Sequence, residues 1–230
     1  MNRIWEFTGE AKDHQGITLR RIRRISDGEL GGWIEKETQV SDNAWVSDNA
    51  CVFGNAKVYG NARVFGNAQV FGDARVYDNA QVFGYAQIYD NAQVFGNAQV
   101  FDDAWIYGNA QVSDNARVYG RAWVSDSARV YGNAWAYGSA CVSGDARVFG
   151  NAQIAKCNLI AVLMIGGFYS CTVTPQNVII GRKLFSYDEI RKMSFEDAVA
   201  NEINGKDFED CKKILLMLMD RIERLSKDAR

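Results

Sequence analysis

The chain of 230 residues has one proline, one histidine and no apolar run longer than Leu159 to Ile165. A run that short cannot cross about 30 Å of hydrocarbon, so no membrane-spanning helix is expected. The first residues, Met1-Asn2-Arg3-Ile4-Trp5-Glu6, lack the apolar stretch of a signal peptide. A lone imidazole, His14, excludes a zinc centre built from several histidines. An excess of one charge is missing too. The formal net charge of −2 leaves no global electrostatic footprint for nucleic acid or an anionic membrane. The five cysteines, at 51, 141, 157, 171 and 211, show no metal-ligand spacing, and an odd count suits a reducing compartment. These scarcities predict a cytoplasmic protein with no metal, no cofactor, no nucleic-acid partner and no membrane partner.

What is abundant is glycine, alanine and valine, in a pattern of period six. An aliphatic residue recurs at Val40, Val46, Val52 and every sixth position to Ile154, with Ala136 the one small substitute. Ile34 and Ile160 hold the same phase at either end. Alanine stands two residues before each aliphatic, from Ala44 to Ala152. Alternation of period two puts Ala and Val on one face of a short strand and the residue between them on the other. That residue is usually Gln, Arg or Trp, as in Gln69, Arg75 and Trp105. Burying such a stack would leave polar groups unpaired, so Ala and Val must point inward. Gly-Asn or Asp-Asn then turns the chain, because these residues tolerate positive φ. Asp42, Asp48, Asp78, Asp90, Asp102, Asp114 and Asp126 are read as turn residues standing in for glycine.

One strand and one turn per six residues close most simply as a triangular prism with eighteen residues per coil. Residues 34 to 154 then make nearly seven coils, roughly 32 Å of stacked strands at about 4.8 Å each. The expected class is an all-β solenoid with a small α+β cap at its C-terminal end. Three units follow: an N-terminal cap over residues 1–33, a repeat body over 34–154, and a β-meander with helices over 155–230.

With aliphatic and small residues in hexapeptide phase, the chain resembles the left-handed parallel β-helix family of hexapeptide-repeat proteins. The left hand is implied by that resemblance and not by the spacing. The flanking stretches Glu6-Phe7-Thr8-Gly9-Glu10, Thr18-Leu19, Gly31-Gly32-Trp33-Ile34-Glu35-Lys36-Glu37 and Ile165-Gly166-Gly167 are similar to those of phage and prophage hexapeptide proteins of mostly unassigned function. The resemblance also implies a homo-oligomer, a dimer or trimer.

A solenoid needs its open ends covered. The N-terminal cap carries Arg20, Arg21, Arg23 and Arg24 among Leu19, Ile22 and Ile25, balanced by acidic residues nearby, which reads as a solvated strand face. After the repeats, strands are expected over residues 169–174 and 178–184 around a turn at Pro175. Ser186 with Glu189 and Ser194 with Asp197 are spaced as capping boxes. A last helix should run from about Asp207 to Ser226. Its stripe of Phe208, Cys211, Leu215, Leu218, Ile222 and Leu225, widened by Ile214 and Met217, should dock on the same chain. The sharper alternative makes Phe208, Leu215, Leu218 and Ile222 an oligomerisation seam.

Many hexapeptide-repeat proteins are acyltransferases, whose general base is commonly an imidazole in a cleft between subunits. Here the repeats contain no histidine, no expelled loop interrupts the phase, and His14 reads as a loop residue before the first coil. No enzyme activity is expected. Outward threonine ladders of the ice-binding kind are absent, since no Thr lies between Val40 and Ile154. DNA mimicry would need dense negative charge, whereas residues 40 to 154 hold ten Asp against seven Lys or Arg.

What remains is surface. The position after each aliphatic carries Phe or Tyr in fourteen of the twenty hexads from Val40 to Ile154. At eighteen per coil these rings fall into three ladders, which either stabilise neighbouring coils or present apolar area to a partner. One runs Phe53, Phe71, Tyr89, Tyr107 and then Ser125 and Ser143; another runs Tyr59, Tyr77, Phe95, Ser113, Tyr131 and Phe149. Trp105 and Trp123 are neighbours on one face, with serine in the flanking coils, and are the first candidates for contact anchors, with Tyr89, Tyr107 and Phe71 beside them. The reading that follows is a non-catalytic binding protein. Its partner would be a host protein, a host-defence component if the chain is phage-encoded. A self-assembling scaffold and an acyltransferase-like enzyme are the alternatives, and a small ligand between subunits stays open.

Overall fold

A computed structural model describes residues 4–156, 161–165, 169–180, 183–200 and 208–227. Each hexad contributes a two-residue strand that pairs in parallel with the strands eighteen residues before and after it. Gln99 and Val100, for example, sit opposite Gln81 and Val82 below and Arg117 and Val118 above. The backbone bonds run between coils: the Gln99 N–H donates to the Ala116 carbonyl and the Phe101 N–H to that of Val118, both at 3.0 Å. Each coil therefore depends on its neighbours for its hydrogen bonds. The strands sort into three sheets of nine, seven and six, the first including three strands that precede the repeats. Repeat alanines and aliphatics alike are sealed from solvent and form one continuous core from Trp5 to Ile154.

The turns follow the expected chemistry. All seven named aspartates have φ between 55° and 58°, as the turn glycines do at slightly larger angles. Each carboxylate accepts the N–H of the glycine one coil further on, at 2.9 to 3.2 Å. In all three corners glycine separates any two aspartates. That order supplies an N–H to each carboxylate and keeps like charges from stacking one strand spacing apart.

The N-terminal cap is an antiparallel sheet of β1 (Trp5–His14), β2 (Ile17–Arg24) and β3 (Leu30–Ile34). Its third strand pairs in parallel with Cys51 and Val52, so the cap extends one face of the prism. Trp5 and Ile22 close the open end of the core, and the Trp5 indole N–H donates to the Val40 carbonyl at 3.3 Å. Gly31 and Gly32 are small because the backbone passes close. A Cβ on Gly32 would stand 2.7 Å from the Ala50 carbonyl oxygen. The arginine cluster is the solvated strand face that was expected: Arg21 pairs with Glu10, Arg23 with Glu6, and Arg24 with Asp27 and Glu29. His14 ends β1 instead of lying in a loop, its ring edge-on to Phe53 with centroids 5.2 Å apart.

At the other end, Ala161–Ile165, Tyr169–Val173, Val178–Ile180 and Lys183–Phe185 form an antiparallel meander. Three helices follow: α1 (Tyr187–Lys192), α2 (Phe195–Ala200) and α3 (Phe208–Lys227). Both capping boxes are present, with Ser186 Oγ accepting from the Glu189 N–H and Ser194 Oγ from the Asp197 N–H. The cap also satisfies strand amides that have no further coil to bond. The Arg147 N–H donates to Thr172 Oγ1 at 3.0 Å and the Gln153 N–H to Gln176 Oε1 at 3.1 Å.

The stripe on α3 is rolled from its expected position. Leu215, Met219 and Ile222 are buried against Val173, Tyr187 and Ile190, while Leu218 is only half-buried. Ile214 and Met217 do not widen the stripe; they are exposed. Leu215 and Ile222 are already covered by their own chain, so they do not form a seam for a second copy. The side chains of Phe208 and Cys211, together with Ile160 and Asp207, lie outside the described residues. Among those described, no helix is long and apolar enough to cross a membrane. Cys51 and Cys171 are buried and form no disulfide. Cys141 is disulfide-bonded, which the expectation of a reducing compartment did not foresee.

Candidate functional site

The aromatic ladders stack on themselves. Phe53–Phe71, Phe71–Tyr89 and Tyr89–Tyr107 have ring centroids 5.0 to 5.1 Å apart and planes within 5° of parallel. The other ladders repeat this geometry. Stacked faces are hidden from water, and Phe71, Tyr89 and Tyr107 are each half-buried. Burial raises the pKa of Tyr59, Tyr77, Tyr89 and Tyr119 above the ordinary phenol value. Stacking between coils thus covers ring faces that would otherwise meet water. It leaves Phe71 and Tyr89 offering edges and not faces, while Tyr107 is stacked on Tyr89 alone.

The tryptophans divide differently. Trp5 and Trp45 are buried. Trp33 lies under Lys12, whose ammonium is 4.4 Å from the ring centroid, and Trp45 lies under Arg24 at 4.5 Å. Trp135 is half-buried, edge-on to Tyr119 with Arg117 near its face. Trp105 and Trp123 remain, each 43% exposed.

Their placement follows from the hexad. Ala104 and Ile106 point into the core, so Trp105 must point out; Ala122 and Val124 do the same for Trp123. The two strands pair directly, Trp105 opposite Trp123, with Gln87 on one side and Cys141 on the other. Among the described residues no cation and no second ring covers either indole. The ladder beside them ends at Tyr107, and the next rung is Ser125, which is buried. The structure therefore brings Trp105, Trp123 and the last ring of a ladder onto one side of the prism. That side offers flat apolar area with two indole N–H donors, the chemistry of a contact anchor.

A separate feature escaped the sequence reading. Gln111, Ser113, Arg129, Tyr131, Arg147 and Phe149 line a cavity of about 340 Å³ on another face. Its signal in the sequence is the serine that interrupts a ring ladder, but the cavity depends on how coils stack.

A family model described as the YdcK beta solenoid repeat matches residues 56–70, 68–84, 86–102 and 110–126. These segments all lie inside the prism. No curated protein matches the chain. Strand pairing at eighteen residues and the repeat match agree that this is a β-solenoid repeat protein.

Proposed function

We propose that this β-solenoid repeat protein acts without catalysis, by stoichiometric binding of a protein partner through the face that carries Trp105 and Trp123. The observation that carries the reading is the contrast among the tryptophans: only these two, of the six in the chain, are exposed. A prism whose rings are already stacked is pre-organised, so docking costs little conformational entropy. The resemblance to phage and prophage proteins makes the partner a host macromolecule, with a component of host defence as its class.

The test is a pull-down from host lysate with the wild type and a Trp105→Ala, Trp123→Ala double variant. Hot-spot tryptophans are worth about 2 kcal/mol or more each, so a captured protein should be lost from the variant. A partner retained equally by both proteins would remove these residues from the interface. Light scattering on the same pair checks the rival occupant: a Trp-dependent dimer would assign the face to a second copy of the chain.

A further inference from the structure

The first corner of the prism breaks the repeat. Later hexads carry Gly-Asn or Asp-Asn and then Ala; this one carries Lys36-Glu37 and then Thr38. The chain makes a single 3-10 turn over Glu37–Gln39 in place of the usual corner. Gln39 holds an outward position in the hexad, yet it is only 2% exposed. Its side chain folds back. Oε1 accepts the N–H groups of Glu35 and Lys36 at 2.9 Å, and Nε2 donates to the Gly54 carbonyl at 3.2 Å. Lys36 Nζ donates to the same carbonyl at 2.9 Å. In the body such a carbonyl accepts a backbone N–H from the preceding coil, as Gly72 does from Asn55. Lys36 and Gln39 supply that donor where the coils begin.

Val40 bridges to Val58, so Gln39 stands in line with Lys57 and Arg75 on the next two coils. With its side chain turned away, a cavity of about 350 Å³ remains among Lys36, Thr38, Asn55, Lys57, Asp73 and Arg75. That volume suits a small molecule. The lining holds three cations and one carboxylate. Lys57 and Arg75 are opposite each other in register, where like charges repel, and the next residue in line is the neutral Gln93. Among the described residues neither cation makes an ion pair. Lys36 is partly offset by Glu35, 3.3 Å away. The Asp73 carboxylate accepts from the Asn55 amide at 3.1 Å.

We infer that this cavity binds a small phosphorylated molecule bearing hydroxyl groups, its phosphate between Lys57 and Arg75 and its hydroxyls at Asp73 and Thr38. A carboxylate brings one charge and two oxygens. A phosphate monoester brings nearly two charges and three oxygens at neutral pH, the better match for two adjacent cations with Lys36 beside them. The guanidinium fork takes two oxygens and the ammonium a third, which relieves the repulsion between the cations. Asp73 repels a phosphate but accepts from a hydroxyl, so it orients the ligand with its phosphate toward the strands. The cavity lies on a different sheet from Trp105 and Trp123 and does not depend on the proposed partner.

The experiment is titration calorimetry of the full chain with glucose 6-phosphate, glucose and inorganic phosphate in turn. One glucose 6-phosphate should bind per chain, with glucose and phosphate each at least about tenfold weaker, since each keeps only part of the contacts. Arg75→Gln introduces the residue that stands next in line at Gln93. It should weaken glucose 6-phosphate at least about tenfold without lowering the thermal unfolding midpoint. Asp73→Asn should weaken glucose 6-phosphate and leave inorganic phosphate bound no less tightly. Arg63→Gln removes the same charge from another sheet and should change nothing. The absence of glucose 6-phosphate binding up to millimolar concentration overturns the proposal, as do equal losses in Arg63→Gln and Arg75→Gln, which would report net charge alone. Phosphate binding as tightly as glucose 6-phosphate would assign the cations to a simple anion and overturn the role of Asp73 and Thr38.

Discussion

The prism and the C-terminal cap are held together by different means. In the prism every contact is repeated. An inward Val meets another Val one coil away, a turn aspartate meets a glycine amide, and a ring meets a ring. In the cap nearly every contact occurs once. The Tyr187 hydroxyl donates to the Thr174 carbonyl at 2.6 Å, Thr174 is tied to Asn177, and Met219 fills a core with no second copy of itself. Repetition makes the prism tolerant on its outside and strict on its inside. It also makes departures from the repeat conspicuous, and both candidate sites are such departures: tryptophan where Gln or Arg is usual, and Lys36-Glu37 where Gly-Asn is usual.

The largest effect should come from breaking the strict side of the prism. Val100 is fully buried between Val82 and Val118, so Val100→Asp places an unpaired charge in the core. The expected cost is about 4 kcal/mol or more, enough to abolish the cooperative transition in urea. Its neighbour Gln99 points outward opposite Arg117, and Gln99→Glu should change stability by no more than about 0.5 kcal/mol. Equal effects at the two positions would mean that the inside-outside distinction is wrong.

A smaller effect is expected from the cap. Met219 is fully buried among Val173, Tyr187 and Ile190, and Met219→Ala should cost about 2–5 kcal/mol through the cavity it leaves. Hydrogen exchange read segment by segment should show loss of protection in the meander and α3, with the central coils unchanged. If central coils lose protection in parallel, the two regions form one cooperative unit and the contrast between them fails.

The same contrast explains what the sequence made legible. In the repeats, burial is decided by local alternation and by turn chemistry, so Ala44 to Ala152 and the seven turn aspartates could be assigned one hexad at a time. Handedness was not local and rested on resemblance. Nor was the covering of Trp33 and Trp45. It arises because β1 and β2 fold over the first coils and bring Lys12 and Arg24 onto the indoles, which no spacing within a hexad announces. On α3 the periodicity identified a helix and an apolar stripe, yet Met217 and Met219 are chemically identical and only docking decides which is buried. Trp105 and Trp123 stood out from sequence alone, but their exposure is informative only once the other four are seen to be covered. Lys57 and Arg75 could be placed one coil apart by counting eighteen residues, whereas the turn over Glu37–Gln39 that borders their cavity breaks the repeat, and no spacing announces it.

The smallest effect concerns Tyr187. It is buried, its hydroxyl bonded to the Thr174 carbonyl, and burial pushes its pKa up, with Glu223 adding to the rise and Arg191 opposing it. A pKa higher in the folded than in the unfolded state means that the protonated phenol stabilises the fold. That contribution is complete below the unfolded value of about 10 and is lost as pH rises from there through the folded value. Tyr187→Phe keeps the ring and removes the donor, leaving a buried carbonyl short of a partner. At neutral pH it should lower stability by about 1–3 kcal/mol. The stability gap between wild type and variant, taken from urea midpoints at a series of pH values, should narrow as pH passes about 10. The variant should keep some alkaline sensitivity of its own, because burial also raises Tyr59, Tyr77, Tyr89 and Tyr119 in the ladders. A gap that stays constant across the alkaline range would show that the Tyr187 hydroxyl does not couple the cap to pH, and would leave the ladders as the only alkaline-sensitive tyrosines of this set.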